Sequence, residues 1–327
     1  MGYKYHYHIF PDCSTCRRST RAEARKGTPI HCAGRPMIID AHTHLFPEEV
    51  QKNRSFFCRR DEGFRTIYEN ERARLASLED LLRTMDRDGV EQSVICGFPW
   101  KDPVLCREGN DFLLRCWRQY PGRLIPFAGL PLRPSRIAER ELERCLSLGM
   151  GGVGELAFYQ QEISHRDIRR LSAILRPLSG PGIPLLLHAN EPVGHDYPGK
   201  SLKDLRPIYQ LLLALPEMNI ILAHWGGGFF FYELMPEVAR AAQRVYYDTA
   251  ASPFLYRPLI YRIALKIVGP GRILFGSDYP LLPPARYFDE LKGIRLSGRD
   301  QTLIKGRNAQ RLLLGKTNFA LGHGDHV

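Results

Sequence analysis

The sequence predicts an α/β chain folded as a (β/α)8 TIM barrel. Three observations predict it. From residue 37 onward, short apolar runs alternate with segments whose apolar residues recur at helical spacing. There are eight runs, each followed by a helical segment. The metal-capable side chains of His42, His44, Glu155, His188, His224 and Asp278 stand at the C-terminal ends of such runs. That is the rim where barrels place their chemistry. A doubly wound open sheet is the competing architecture; the count of eight and the rim positions favour the barrel.

The first strand is expected over 37–42, followed by a long connection to about residue 77. A helix over 78–88 follows from Leu78, Leu81, Leu82 and Met85 at helical spacing, with Gly89 ending it. Strand two covers 91–97, a helix 110–120, and strand three 124–130. Ser135 opens a helix that runs to 148 and closes at Gly149. Strand four spans 152–158 and a helix 165–175. Strand five, 183–188, is built on Ile183 and the run Leu185-Leu186-Leu187, the apolar character expected of a strand buried on both faces. The second half repeats the unit: helices over 205–215, 232–244 and 256–268, and strands over 219–224, 245–249 and 272–277. Segments 285–292 and 301–314 supply closing helices.

Composition sets the bounds. The chain has 327 residues, 44% of them hydrophobic, which suits a globular protein. No apolar stretch is long enough for a membrane span, and no h-region of a secretory signal is present. Eight cysteines all fall at or before Cys145, which argues against a disulfide framework and for a reducing, cytoplasmic setting. The net charge of +11 is uneven: residues 1–36 hold seven Lys/Arg against two Asp/Glu, and the remainder carries 39 against 33. No basic stripe interleaved with aromatics is present, so the expected partner is a small-molecule substrate and not nucleic acid or membrane. A homodimer is left open.

Side chains two apart on a strand point the same way, so His42 and His44 project together. Each other candidate has a plain alternative. His188 and His224 fit satisfied core histidines, Glu155 a buried salt bridge, and Asp278 a turn or helix cap. Six such residues at the strand ends of one barrel fit one metal centre better than six coincidences.

Four stretches carry a family resemblance: Asp40-Ala41-His42-Thr43-His44, Ala223-His224-Trp225-Gly226-Gly227-Gly228, Gly276-Ser277-Asp278-Tyr279-Pro280 and Gly306-Arg307-Asn308-Ala309-Gln310-Arg311-Leu312. Over residues 37–315 the chain resembles the amidohydrolase superfamily, metallo-dependent hydrolases on a barrel. More narrowly it resembles the amidohydrolase-related branch that includes aminocarboxymuconate-semialdehyde decarboxylase and related hydrolases. The resemblance implies metal ligation by His42, His44, His188 and Asp278. It gives Asp278 a second role, accepting the proton of a nucleophilic water. His224 is implied as a catalytic residue or second-metal ligand, and Glu155 as a bridging ligand in two-metal members. The implied cofactor is a divalent metal, with zinc expected and manganese or iron as alternatives, as one or two ions. A metal-dependent hydrolase is therefore expected, activating water against a carbonyl-type carbon of a small compound, an acid among the candidates. The first alternative is a metal-dependent non-oxidative decarboxylase of an aromatic or muconate-like acid. The second is a catalytically idle barrel acting as a binding partner.

Loop residues complete the reading. The connection over 45–77 carries Phe56, Phe57, Arg59, Arg60, Arg65 and Tyr68, the composition of either a lid or an ordinary solvated loop. After His188, residues Asn190, His195 and Lys200 are candidate substrate contacts, with Trp225 as a wall of the site; Tyr159 and Arg257 are further candidates. The glycines over 149–154 precede a strand instead of joining a strand to a helix, so they fail the dinucleotide-loop test. Residues 1–36 form a basic N-terminal extension in which Cys13, Cys16, His31 and Cys32 allow either a degenerate zinc ribbon or a disordered segment. A start of translation at Met37 is a third option. Residues 316–327 read as a C-terminal tail.

Overall fold

The computed structural model describes residues 36–133, 135–159, 163–178, 180, 182–201 and 203–315. The N-terminal cysteine segment and the tail over 316–327 lie outside them. Eight parallel strands follow one another around the sheet in chain order. They are β1 (Ile39–His44), β2 (Gln92–Cys96), β3 (Leu124–Ala128), β4 (Gly152–Leu156), β5 (Leu185–Leu187), β6 (Ile220–Leu222), β7 (Val245–Asp248) and β8 (Ile273–Leu274). Register is set by pairs such as Ile39 with Gln92, Val94 with Ile125, and Leu186 with Ile221. The ring closes where β1 meets the chain just beyond β8. Ala41 donates its N–H to the Phe275 carbonyl at 2.8 Å, Asp278 to that of His42 at 2.9 Å, and His44 to that of Tyr279 at 2.7 Å. The expected (β/α)8 TIM barrel is the fold observed.

Two apolar layers follow from the strand period of two. Ile39, Ala41, Val94, Phe127, Leu186, Ile221, Ala223 and Leu274 fill the barrel interior, with Ala309 and Leu312 packed at its floor. Their neighbours, such as Ile95, Leu185, Leu187, Leu222 and Val245, pack outward under the helices. Gly152 leaves room inside the ring, because a Cβ there would overlap the Phe127 ring.

The helices around this core are α1 (Glu48–Lys52), α2 (Arg54–Arg60), α3 (Glu62–Tyr68), α4 (Leu78–Asp88), α5 (Pro103–Gln119), α6 (Ser135–Ser147), α7 (His165–Leu175), α8 (Arg206–Ala214), α9 (Pro236–Ala241), α10 (Ser252–Leu255), α11 (Ile260–Val268), α12 (Pro284–Gly293) and α13 (Gly298–Thr302). Capping boxes start α4 at Ser77 with Asp80 and α7 at Ser164 with Asp167. Among the described residues, no helix is long and apolar enough to cross a membrane.

Four departures from the expected elements have local causes. The long connection after β1 is not an extended loop: α1 to α3 occupy it, and Phe57, Phe64 and Tyr68 bury against Phe46, Phe98 and Trp100. The helix expected over 232–244 shortens to α9, because the segment before it coils in tight 3₁₀ turns, with positive φ at Trp225 to Gly228. β8 shortens to two residues, since Phe275 donates to the Ile304 carbonyl and Gly276 bonds with the Thr249 hydroxyl. The closing helix expected over 301–314 splits after α13 into wider π-type turns over Leu303–Arg307 and Gln310–Leu314.

Candidate metal centre

Six side chains meet at the C-terminal mouth of the ring. His42 and His44 emerge from β1 with their Nε2 atoms 3.1 Å apart. Asp278 sits just past β8 in the left-handed region at φ 57, and its N–H donates to the His42 carbonyl. Its Oδ1 lies 3.2 Å from His44 Nε2 and 3.7 Å from His42 Nε2. Glu155, from β4, presents Oε2 to the same pair at 3.7 and 3.5 Å. Its Oε1 faces His188 Nδ1 at 3.0 Å and His224 Nε2 at 3.7 Å. The carboxylate is only 2% exposed.

The chain around His224 explains its aim. Five successive residues from His224 to Gly228 hold positive φ, a costly conformation for the two that are not glycine. Gly227 is required there, because a Cβ would collide with the Asn190 carbonyl. The His224 N–H donates to Asp248 Oδ1 at 2.8 Å and Nδ1 donates to the Ala250 carbonyl at 3.1 Å. Nε2 is thereby left facing the cluster.

Electrostatics here is a contest between burial and close opposite charge. Burial disfavours charge on His42, yet the Glu155 and Asp248 carboxylates hold its imidazole well above the usual histidine range. His224 is likewise disfavoured by burial but lifted to about 9 by Glu155 and Asp278. For Glu155, burial pushes upward and the His42 and His188 charges outweigh it, leaving the carboxyl well below the usual range. Asp278 is lowered in the same way, its burial offset first by the hydrogen bond to His44. Imidazole and carboxylate donors in two compact sets, His42/His44/Asp278 and Glu155/His188/His224, each with ligand atoms within 4.8 Å of one another, fit a divalent cation.

The loop candidates sit differently. Asn190 is buried, and its Oδ1 accepts from the Ser201 N–H at 2.9 Å. Lys200 Nζ donates to the carbonyls of Val193, Gly194 and His195 at 3.2, 2.9 and 3.0 Å, so it ties the loop to itself. His195 is exposed, against Tyr197. Trp225 is wholly buried, its Nε1 donating to Ser252 Oγ at 2.9 Å, and packs edge-on to Tyr261 instead of walling the mouth. The loop reaches the cluster through Gly199, whose carbonyl accepts from His188 Nε2 at 3.2 Å.

One residue at the site went unread in the sequence. Asp248, at the end of β7, accepts from His42 Nδ1 at 2.8 Å; it ends a strand just as the other candidates do. Two tyrosines sharpen the picture. The Tyr159 ring stacks on Phe98 and meets His188 edge-on, with its hydroxyl 3.4 Å from Glu155 Oε2. Tyr68, raised by burial and then by the Asp278 and Glu155 charges, packs against Phe46, Phe64 and Phe98.

Comparison with known proteins agrees with this architecture. The family model described as Amidohydrolase matches residues 39–314. A gamma-resorcylate decarboxylase of Polaromonas sp. (strain JS666 / ATCC BAA-500) is 25% identical over 291 residues, covering 74% of this chain and 89% of that protein. A 6-methylsalicylic acid decarboxylase of Penicillium expansum is 26% identical over 244 residues, covering 63% of this chain and 74% of that protein. Among solved structures, 5-carboxyvanillate decarboxylase from Sphingomonas paucimobilis superposes with a TM-score of 0.66 at 16% identity, covering 86% of this chain and 99% of that one. These relatives are named for decarboxylation, which overturns the expectation of hydrolysis. The same donor atoms serve both chemistries, and the ligand set alone does not say which bond breaks. The match over residues 39–314 and the ring of strands around these donors make the chain a member of the amidohydrolase family.

Proposed function

We propose that this chain is a metal-dependent, non-oxidative decarboxylase of a hydroxylated aromatic carboxylic acid. One observation carries the reading: sequence similarity runs through most of the chain to proteins named for decarboxylating gamma-resorcylate and 6-methylsalicylic acid. The aromatic mouth lends support, since Tyr159 stacked on Phe98 offers a face for a planar ring. The catalytic unit is taken as residues 37–315. Its proposed metal ligands are His42, His44, Glu155, His188, His224 and Asp278. Manganese is the ion to load first, because a structural relative from Polaromonas sp. JS666 is described with bound manganese and the inhibitor 2-nitroresorcinol.

Loss of CO2 from an aromatic ring requires a proton on the carbon that bears the carboxylate. The C–C bonding pair then returns to the ring as CO2 leaves. When bound, the divalent cation supplies a Lewis acid that anchors substrate oxygens. We assign the proton transfer to Asp278, a reading supported by its Oδ1 lying 3.2 Å from His44 Nε2 and 3.7 Å from His42 Nε2. His224 Nε2 faces the same space, with its tautomer set by the Ala250 carbonyl. Tyr159 and Phe98 would orient the ring, backed by the apolar cluster that α1 to α3 build around Phe64. The test is direct. The full chain loaded with manganese is incubated with 2,6-dihydroxybenzoate and with 6-methylsalicylate, and CO2 and the phenolic product are quantified. Stoichiometric release of both supports the reading; no CO2 from a panel of 2-hydroxybenzoic acids overturns it.

A further inference from the structure

We propose that Lys200 is a positioning residue for the aromatic substrate. Its ammonium is a built-in cation around which the loop after β5 folds, and the folded loop seats Gly199 against Tyr159 and His188. The inference rests on the reading above, in which Tyr159 faces the ring of an aromatic acid. An ammonium group has three donors. Lys200 places them on three consecutive carbonyls, those of Val193, Gly194 and His195, at 3.2, 2.9 and 3.0 Å. Its side chain is only 10% exposed. Asp196 Oδ1 stands 3.8 Å away on a fully exposed side chain, so it adds little.

Three carbonyl dipoles aimed at one point repel one another unless positive charge stands between them. The conformation of the loop is therefore set by the charge it encloses. Two further clasps close it. Asn190 Oδ1 accepts from the Ser201 N–H at 2.9 Å, and the Tyr197 hydroxyl donates to Glu191 Oε2 at 2.8 Å. What the cage holds is the residue next to Lys200. Gly199 sits at φ 96, and a Cβ there would stand 3.1 Å from Ile67 Cδ1 of α3 and 3.6 Å from Tyr159 Cε1. Bare backbone thus packs directly against the Tyr159 ring, which stacks in turn on Phe98 with centroids 5.8 Å apart. The Gly199 carbonyl also accepts from His188 Nε2 at 3.2 Å. A loop released from Lys200 withdraws the seat of Tyr159 and the partner of His188 together. With its three donors taken by its own loop, Lys200 acts through Gly199 and not by touching substrate.

The experiment replaces the cation. Lys200→Ala removes three methylenes and the ammonium, the shape and charge of n-propylammonium. The full, manganese-loaded chain and its variant are titrated with 2,6-dihydroxybenzoate by calorimetry, and KM is measured alongside. Lys200→Ala should raise both Kd and KM by about 2–12-fold, the range for losing an aromatic pair. Added n-propylammonium chloride should reverse the rise, and 1-propanol of the same size should not. Lys200→Met keeps the stem without the charge; it should show the same rise and decides the matter if Lys200→Ala does not fold. An unchanged Kd in the folded variant, a rise that n-propylammonium leaves in place, or equal rescue by 1-propanol overturns the proposal. Hydrogen exchange over residues 189–201 reports the cage without turnover; it should quicken in Lys200→Ala and slow again with n-propylammonium. A chain that neither binds nor decarboxylates aromatic acids, yet shows that exchange pattern, keeps the cage and removes the decarboxylase reading. CO2 release with KM unchanged in Lys200→Ala does the reverse.

Discussion

Asp248 Oδ2 accepts a hydrogen bond from His42 Nδ1 at 2.8 Å, with both residues wholly buried. The other oxygen of Asp248 accepts from the N–H of His224 at 2.8 Å and of Ala250 at 3.0 Å. One carboxylate therefore orients two of the proposed ligands, from β1 and from the turn after β6. Loss of such an outer partner typically costs roughly 10–100-fold in metal affinity. Asp248→Asn should weaken manganese binding by about that factor, measured by titration of the stripped chain. Unchanged affinity would remove Asp248 from this role.

Asp278→Asn keeps the shape of the side chain but cannot carry a proton. Proton transfer by a positioned group contributes about 10²–10⁴-fold, so kcat should fall by roughly 10³ with circular dichroism unchanged. A variant that decarboxylates at the original rate would assign the proton elsewhere.

Tyr159 separates stacking from hydrogen bonding. An aromatic pair is worth about 0.5–1.5 kcal/mol beyond its buried area, or roughly 2–12-fold in binding. Tyr159→Ala should raise KM for the aromatic acid by about that range, while Tyr159→Phe should keep KM close to the original. Equal KM for all three would place the ring away from the substrate.

Manganese bound only to the folded chain stabilises it by about 2.7 kcal/mol at a hundredfold excess over Kd. Domains somewhat smaller than this one shift Tm by about 2–4 °C per kcal/mol. Chelation should therefore lower Tm by roughly 5 °C, and added manganese should restore it. A scan indifferent to chelator would argue against a resident ion.

A pH prediction comes from a site far from the mouth. Burial pushes Glu141 upward, but hydrogen bonds from Arg144, Asn110 and the Cys145 thiol outweigh it and hold the carboxyl below its ordinary 4.5. A carboxyl depressed in the folded state stabilises the fold above its unfolded pKa. That stability is lost as pH falls through the folded value. Urea midpoints should thus drop below about pH 4.5, and Glu141→Gln should show a shallower drop.

Much of this was legible in the sequence for a physical reason. Strand ends of a parallel barrel share one rim, so His42, His44, Glu155, His188, His224 and Asp278 could be gathered without coordinates. Asp248 obeys the same rule, ending Val245-Tyr246-Tyr247-Asp248. Lys200 was opaque, because its three carbonyl partners come from the path of its own loop and leave no mark in residue spacing. Helices α1 to α3 were hidden for a related reason: they are five to seven residues each, too short for a periodic apolar face, and are held by the cluster around Phe64. The reaction was illegible in another sense, since hydrolysis and decarboxylation draw on the same donors.

The seam between β1 and the segment past β8 has a consequence for assembly. Ala41, His42 and His44 are stitched to Phe275, Asp278 and Tyr279, which stand more than 230 positions later in the chain. A nascent chain emerging from the ribosome would carry the two imidazoles of β1 long before Asp278, which lies beside them in the fold. On the proposed ligation, the full His42/His44/Asp278 set exists only once the chain beyond the last strand has docked on β1.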